Sequence, residues 1–350
     1  MLLSVFSHFL SVNCITVKSS NGYPVHNITT GMDYPTIQAA IDATETSKGD
    51  TIIVDEGIYI THVFVTKPLN IMGRNRNTTI IDSGGSSRCF TITANRVNIT
   101  GFNAKRARWA FYLVGSNESS IYRNKIETSD IGVHLENANN NMIFENLIEN
   151  INILGEGIYL AQSNNNTIQR NSIVNASCAI SLVFSLRNIF RENTLANCSC
   201  AFYLQVSSNN SFYHNNIIHN LCNAQTEGLS INSWDYGYPS GGNYWSNYTG
   251  VDLYSGSYQN VTGSDGIGDT PYKINATCID HFPLMKAFAP LVADLNDDSK
   301  VDGKDIAVAA RAFASHMGSS RWNLLADLNK DNKIDGIDIV TIAKNWKKQQ

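Results

Sequence analysis

What this chain lacks is charge of one sign, proline and long apolar runs. Lys and Arg number 26 against 30 Asp and Glu, a net charge of −4, and charged residues make up only 16% of the 350. That balance leaves no basic field for nucleic acid and no strongly acidic tail. Proline, at 7 residues, is too scarce for a long disordered linker. No run is long and apolar enough to cross a bilayer, so no membrane insertion is expected. The apolar start, MLLSVFSHFLSVNC (1–14), suits the apolar part of an export signal, although the positive residues that usually precede one are missing. A start codon assigned inside a longer signal is the alternative. Taking residues 1–20 as a signal segment puts the protein outside the cell or on its surface. Asn-x-Ser/Thr sites from Asn27 to Asn275 fit export, although an Asn-rich chain produces many by chance.

What the chain has in excess is Asn, crowded between Asn95 and Asn247. The crowding is periodic, and periodicity decides the fold. The pattern Asn-x-apolar-x-x-Asn-x-apolar recurs as NMIFENLI (141–148), NTIQRNSI (166–173), NIFRENTL (188–195) and NSFYHNNI (210–217), after an earlier copy, SSIYRNKI, that ends at Ile126. Its second Asn falls at Asn124, Asn146, Asn171, Asn193 and Asn215, a period of about 22 residues with one three-residue insertion. A second strand follows in every period: AFYL (110–113), GVHL (132–135), GIYL (157–160), AISL (179–182), AFYL (201–204) and GLSI (228–231). Each alternates with period two, so one face is buried. Strands this short, with no helix between them, cannot build a doubly wound sheet. Coiled into rungs about 4.8 Å apart, each pairs with the strand above and below. Equivalent Asn amides then hydrogen-bond rung to rung. The expected fold is an all-β solenoid, a parallel β-helix.

Upstream, YPTIQAAIDA (34–43) reads as a short amphipathic helix that covers one open end of the solenoid, where strand edges need a cap. GDTIIVDEGIY (49–59), KPLNIMG (67–73) and TTIIDSG (78–84) read as further strands. The run TIQAAIDA…GDTIIVDEGIY resembles the first turns of the pectin-lyase-like right-handed β-helix superfamily. The repeats are similar to its NosD-type branch, also described as carbohydrate-binding and sugar-hydrolysis domains, across residues 34–285. The resemblance implies a right-handed coil over 30–288 and a polysaccharide or other glycan as partner. It also raises copper, for which His214, His219 and Cys222 are close in sequence. From about residue 232, NSWDYGYPSGGNYWSNYTG and GSDGIGDTPY read as a distal cap of Trp and Tyr; a sugar platform or a loop site on Asp265 and Asp269 is the alternative.

Residues 291–348 are of another kind. DLNDDSKVDGKD (294–305) and DLNKDNKIDGID (327–338) place oxygen ligands at loop positions one, three, five, nine and twelve. These are Asp294, Asn296, Asp298, Asp302 and Asp305, then Asp327, Asn329, Asp331, Asp335 and Asp338. Lys300 and Lys333, at position seven, offer backbone carbonyls. Calcium takes six to eight oxygens, which a 12-residue loop can wrap round one ion. The same register twice points to two calcium ions. A helix follows each loop, with apolar stripes expected at Ile306, Ala309, Ala310 and Phe313, then at Ile339, Ile342, Ala343 and Trp346. The pair resembles a type I dockerin, a small all-α calcium-binding domain, which implies a cohesin-like partner. Ser299 and Asn332 stand where an EF-hand loop has Gly, and the residues after position nine depart from cellulosomal dockerins, so the docking partner stays open.

Two outward columns are expected on the β-helix. Tyr112, His134, Tyr159, Ser181 and Tyr203 lie between the buried residues of the second strands. The tyrosines and His134 are candidates for stacking on sugar rings, with cross-rung stacking for stability as the alternative and a solvated His134 taken alone. Arg123, Glu145, Arg170, Glu192 and His214 alternate in charge and read as an ion-pair ladder; a catalytic row is the sharper reading. No catalytic residue is assigned. Cys178, Cys200 and Cys222 share the repeat and should stack. Export, glycan binding or processing and calcium-dependent attachment form the leading reading; a structural surface solenoid, or copper handling of the NosD kind, are the alternatives. Charge reversal at Asp298 and Asp331 should abolish saturable calcium binding in a calorimetric titration; unchanged binding would show that the loops are misassigned.

Overall fold

The computed structural model describes residues 22–348, except 86, 153, 229, 276–277, 297–299, 317–318 and 320. The expected signal segment lies outside these, as do Asp298 and Ser299. No helix among the described residues is long and apolar enough to cross a membrane.

Each period holds three strands rather than two. The two-Asn motif bends before its second Asn, so Met142–Phe144 enters one sheet, Leu147–Glu149 the next and Glu156–Ala161 a third. Two three-residue strands joined at a tight corner preserve the alternation of one longer strand, which is why the pattern alone does not separate them. Among the described residues the three sheets contain ten, nine and eight strands. Repeating rungs pair in parallel with like residue on like: Ile121 faces Ile143, Ile143 faces Ile168 and Ile168 faces Phe190. The interior is therefore a set of columns. Ile99, Ile121, Ile143, Ile168, Phe190 and Phe212 are fully buried, and the rings of Phe190 and Phe212 lie 4.8 Å apart at 7°. Burying each such side chain contributes roughly 1.5–3 kcal/mol. The fold is a parallel β-helix.

The last strand of the third sheet is Cys222–Glu227, not the expected 228–231. In-register pairing with Cys200–Gln205 keeps the 22-residue spacing there, so the polar CNAQTE takes the place to which apolarity assigned GLSI. Glycine stands second in the third-sheet strand of two coils for a steric reason: a Cβ at Gly157 would lie 2.5 Å from the Ile173 side chain and 2.6 Å from the Ala179 carbonyl.

The ladder Asn residues Asn124, Asn146, Asn171, Asn193 and Asn215 are at most 1% exposed. Asn171 Oδ1 accepts from the backbone N–H of Asn146 (3.1 Å) and from its Nδ2 (3.0 Å). Asn171 Nδ2 donates to the Ile143 carbonyl (2.8 Å) and to Asn193 Oδ1 (3.0 Å). A second ladder, Asn141, Asn166, Asn188, Asn210 and Asn232, repeats the arrangement at another corner.

Both ends are covered. Helix α1 (Ile37–Asp42) is N-capped by Thr36, whose hydroxyl accepts from the Ala39 N–H, and it buries Ile37, Ala40 and Ile41. At the far end Trp234 stacks on Phe212 (4.3 Å) and Trp245 on Tyr272 (4.4 Å), and both tryptophans are 1% exposed. Asp280 fixes this cap by accepting from Asn243 N, Trp245 Nε1 and Phe282 N, while burial pushes its pKa up to about 7. Asp265 and Asp269 spend their carboxylates on nearby backbone N–H groups, as structural turn residues do.

Helices α2 (Gly303–Ala312) and α3 (Gly336–Lys344) pack together through Ala309, Ala312 and Ile342, with Val301 and Ile334 beneath. The expected stripes are out of phase at their ends. Ala310 and Ala343 are exposed, and Phe313 and Trp346 lie beyond the helix termini at 44% and 42% exposure.

Asn171→Ala should cost about 2–4 kcal/mol in urea unfolding, because it strands the buried Asn146 amide and the Ile143 carbonyl. A loss below about 1 kcal/mol would show that the ladder bond is replaceable.

Candidate functional site

The third sheet has the longest strands, and its outer face gathers the chemistry. Register stacks Tyr112 on His134, then Tyr159, Ser181 and Tyr203, as the alternation predicts. The first members are not free ring faces, however. Trp109 turns over them, 4.6 Å from Tyr112 and 4.7 Å from His134, and the Arg88 guanidinium sits 4.4 Å from the centres of both Trp109 and Tyr112. Tyr112 is 8% and His134 6% exposed, which overturns the solvated reading of His134. Among the described residues neither ring nitrogen of His134 has a hydrogen-bond partner, and burial lowers its pKa to about 4. Tyr159 and Tyr203 are half-buried, and the Tyr159 ring packs edge-on against His134 at 4.9 Å.

Three carboxylates border this column, and the repeat gave no reason to select them. The Tyr112 hydroxyl donates to Glu136, and the Tyr203 hydroxyl donates to Glu227 at 2.8 Å. Burial first and Glu136 second push Tyr112 up to about 12; for Tyr203 the Glu227 hydrogen bond comes first and burial second, again to about 12. Glu156 occupies the register position held by Ile131 and Cys178 in adjacent coils, and burial raises its pKa. The same column holds Trp109 and Arg88 two and three coils earlier, so its lack of a repeated residue type gave no signal for Glu156. A carboxyl whose pKa burial raises, beside half-buried tyrosines, is a candidate proton donor.

Cys178, Cys200 and Cys222 stack in register, and all three are free thiols. His214, His219 and Cys222 do not converge. His214 is buried with its ring 4.1 Å from Phe288, His219 is exposed at the next corner, and Cys222 lies in the third sheet. Among the described residues no group of three or more His, Cys, Asp or Glu side chains is placed to hold a metal ion.

The charged column stands at the corner before the ladder Asn, each member with φ between 51° and 58°. Its ion pairs form as the alternation predicts, Arg123 to Glu145 at 2.7 Å and Arg170 to Glu192 at 2.5 Å. Arg123 also reaches Asp327, whose Oδ2 accepts from Nη1 at 2.8 Å and whose carbonyl accepts from Nη2 at 3.0 Å.

Among the described residues the two acidic loops share the hydrogen bonds of their ninth and twelfth positions. Asp302 and Asp335 cap α2 and α3 by accepting from the Lys304 and Ile337 N–H groups, each at 2.8 Å. Asp305 and Asp338, both fully buried, tie each loop shut: Asp305 accepts from Leu295 and Asp302, Asp338 from Leu328 and Asp335. Asn332 takes the left-handed turn at φ 66°, as its position requires. Asp331 accepts from Lys333 N at 2.9 Å and from Asn329 Nδ2 at 3.0 Å.

Fold and site together define a parallel β-helix with a covered, carboxylate-bordered aromatic face. Residues 43–250, more than half of the chain, match the family described as "Periplasmic copper-binding protein (NosD)", and the protein belongs to that family. No curated protein matches the chain. Solved structures similar to it include an alginate lyase from Paenibacillus sp. str. FPU-7 (15% identity, 59% of this chain and 94% of that one, TM-score 0.37). A pectin methylesterase from carrot (16%, 67% and 90%, TM-score 0.32) and the mannuronan C-5 epimerase A-module of Azotobacter vinelandii (11%, 55% and 73%, TM-score 0.33) are others.

The buried, neutral His134 has a signed consequence. Its folded pKa near 4 lies below an unfolded value of about 6.5, so its share of stability is complete above pH 6.5 and is lost as pH falls toward 4. Across that window the wild type should lose about 1.4 kcal/mol per pH unit relative to His134→Phe in denaturant titrations. Parallel pH curves for the two proteins would show that His134 is protonated in the fold.

Proposed function

We propose that this is an exported or cell-surface β-helix protein that binds or processes polysaccharide on the outer face of its third sheet. The observation that carries this reading is the presence, on one face, of the half-buried Tyr159 and Tyr203 with Glu156, whose pKa burial raises. Aromatic faces stack on sugar rings, and a protonated carboxyl can serve a leaving oxygen. The family's description as periplasmic and the apolar segment at 1–20 favour export.

Residues 291–348 form, in this reading, a dockerin-like module that binds two calcium ions and attaches to a cohesin-like partner. Asp294, Asn296, Asp298, Asp302 and Asp305, with the Lys300 carbonyl, would hold one ion. Asp327, Asn329, Asp331, Asp335 and Asp338, with the Lys333 carbonyl, would hold the other. The repeated hydrogen-bond scheme of the loops supports their equivalence. In the described arrangement Asp327 and Asp338 of the second loop accept from backbone N–H groups of that loop.

A structural solenoid is the second reading, favoured by the burial of Tyr112 and His134 beneath Trp109 and Arg88. Copper, which the family description names, has no converged ligand set among the described residues.

The full-length protein should retard on affinity gels containing one of a panel of neutral and uronate polysaccharides. The double variant Tyr159→Ala/Tyr203→Ala should weaken that binding by about tenfold or more, at roughly 1 kcal/mol per lost ring contact. Reducing-end release abolished by Glu156→Gln would make the protein an enzyme. No binding to any member of the panel would leave the structural solenoid.

A further inference from the structure

The outward column that contains Glu156 ends in three cysteines. Coil by coil it runs Arg88, Trp109, Ile131, Glu156, Cys178, Cys200 and Cys222, each facing the next in register. Cys178 is buried, Cys200 and Cys222 are half-buried, and all three are free thiols. Neighbouring rungs are about 4.8 Å apart, and a disulfide needs Cα atoms roughly 4.4–6.8 Å apart, so either adjacent pair meets the requirement. Cys178 and Cys222 stand two rungs apart, about 9.6 Å, and do not.

Cys200 lies beside both of the other thiols. Cys178 first and burial second push its pKa well above the ordinary thiol range, and burial first and Cys200 second push Cys222 up to about 11. A metal takes the thiolate, and this column keeps its protons. Among the described residues no group of three or more His, Cys, Asp or Glu side chains is placed to hold a metal ion. An uncharged disulfide suits the same surroundings. The strand that begins at Cys222 is also short of anchors. None of the six residues of Cys222–Glu227 is buried, whereas five of the six in Cys178–Val183 are. Backbone pairing with Cys200–Gln205 places the last strand, with little apolar burial to add to it.

We propose that this column is a redox site in which Cys200 forms one disulfide, with Cys222 or with Cys178, and that the bond to Cys222 fastens the last third-sheet strand to the coil before it. The oxidant is a disulfide from outside the protein. The Cys222 thiolate attacks one of its sulfurs and releases one thiol; Cys200 then attacks the Cys222 sulfur of the mixed disulfide and releases the second. Two electrons and two protons pass from the cysteines to the oxidant. In the exchange step Cys178 loses its proton and bonds to the Cys200 sulfur, the Cys200–Cys222 bond breaks, and Cys222 leaves as a thiolate that takes up a proton. No electrons are gained or lost in that step. Register places the three residues along the solenoid axis, so the attacking thiol faces the bond that breaks. Such bonds persist in oxidising compartments, in keeping with export, although the chemistry of the column is independent of it.

The test incubates the full-length chain with oxidised glutathione, blocks remaining thiols by alkylation, and maps linkages by mass spectrometry of chymotryptic peptides without reductant. The wild type should give both the Cys200–Cys222 and the Cys178–Cys200 linkage. Cys178→Ser should give only the first, Cys222→Ser only the second, and Cys200→Ser and Cys200→Ala neither. Cys198→Ser, at a corner where the thiol donates to the Ala196 carbonyl, should leave both linkages in place. Oxidation of Cys178→Ser should slow amide hydrogen exchange across residues 222–227 by about tenfold or more, and oxidation of Cys222→Ser should not. A wild type with no linkage inside the column, or a Cys178–Cys222 linkage once Cys200 is replaced, overturns the site. Equal exchange across 222–227 in reduced and oxidised Cys178→Ser overturns the fastening.

Discussion

The rung-to-rung Asn hydrogen bond is the constraint on which the rest of this molecule depends. Each ladder side chain satisfies a backbone N–H of the rung before it and donates to a carbonyl that the tight corner would otherwise leave buried and unpaired. That lets the chain turn within two residues between three-residue strands, and so wind a coil of only about 22 residues. The cost falls on the residue just before the ladder Asn, which is forced to positive φ with a full side chain in place. Non-glycine residues in that region are strained by about 1–2 kcal/mol. Cross-rung pairing of Arg123 with Glu145 and of Arg170 with Glu192 offsets part of the strain, because the same turn that strains these residues aims them outward and in register.

This explains how much was legible. A ladder needs the same residue at the same place in every coil, so Asn124 through Asn215 announce the period, and the period announces the solenoid. The strand at Cys222–Glu227 was missed because it is defined by register alone: its partners above are apolar, and it is not. The covering of His134 was illegible for a different reason. Trp109 and Arg88 belong to other coils and other register positions, and nothing in a 22-residue pattern says which way a strand's first residue turns. Glu156 had no signal at all, because its column changes residue type at almost every coil. The contact between Arg123 and Asp327 spans 204 residues and joins two segments whose patterns are unrelated. Each segment could be read alone, whereas their meeting could not.

The two outward faces of the β-helix are thereby put to different uses. The corner face carries charges at strained positions and is occupied by the C-terminal segment, so a catalytic row of Glu145, Arg170 and Glu192 would work beneath a cover and with its carboxylates already paired. The third-sheet face has no such occupant among the described residues. Its carboxylates meet tyrosines rather than arginines, and burial moves Glu156 toward the protonated form that an ion pair would deny it.

Charge economy favours the same division. A carboxylate paired with arginine is held ionised and is spent on structure, which suits a surface that must recognise one segment of its own chain. A carboxylate beside a tyrosine keeps a proton within reach of its neighbours. Both arrangements come from one repeat, because the coil offers two outward positions with opposite surroundings: a corner where the backbone is strained and polar partners crowd, and a flat strand where rings lie side by side. Among the described residues the corner holds the chain's own C-terminal segment through Arg123 and Asp327, and the strand face carries the tyrosines and their carboxylates.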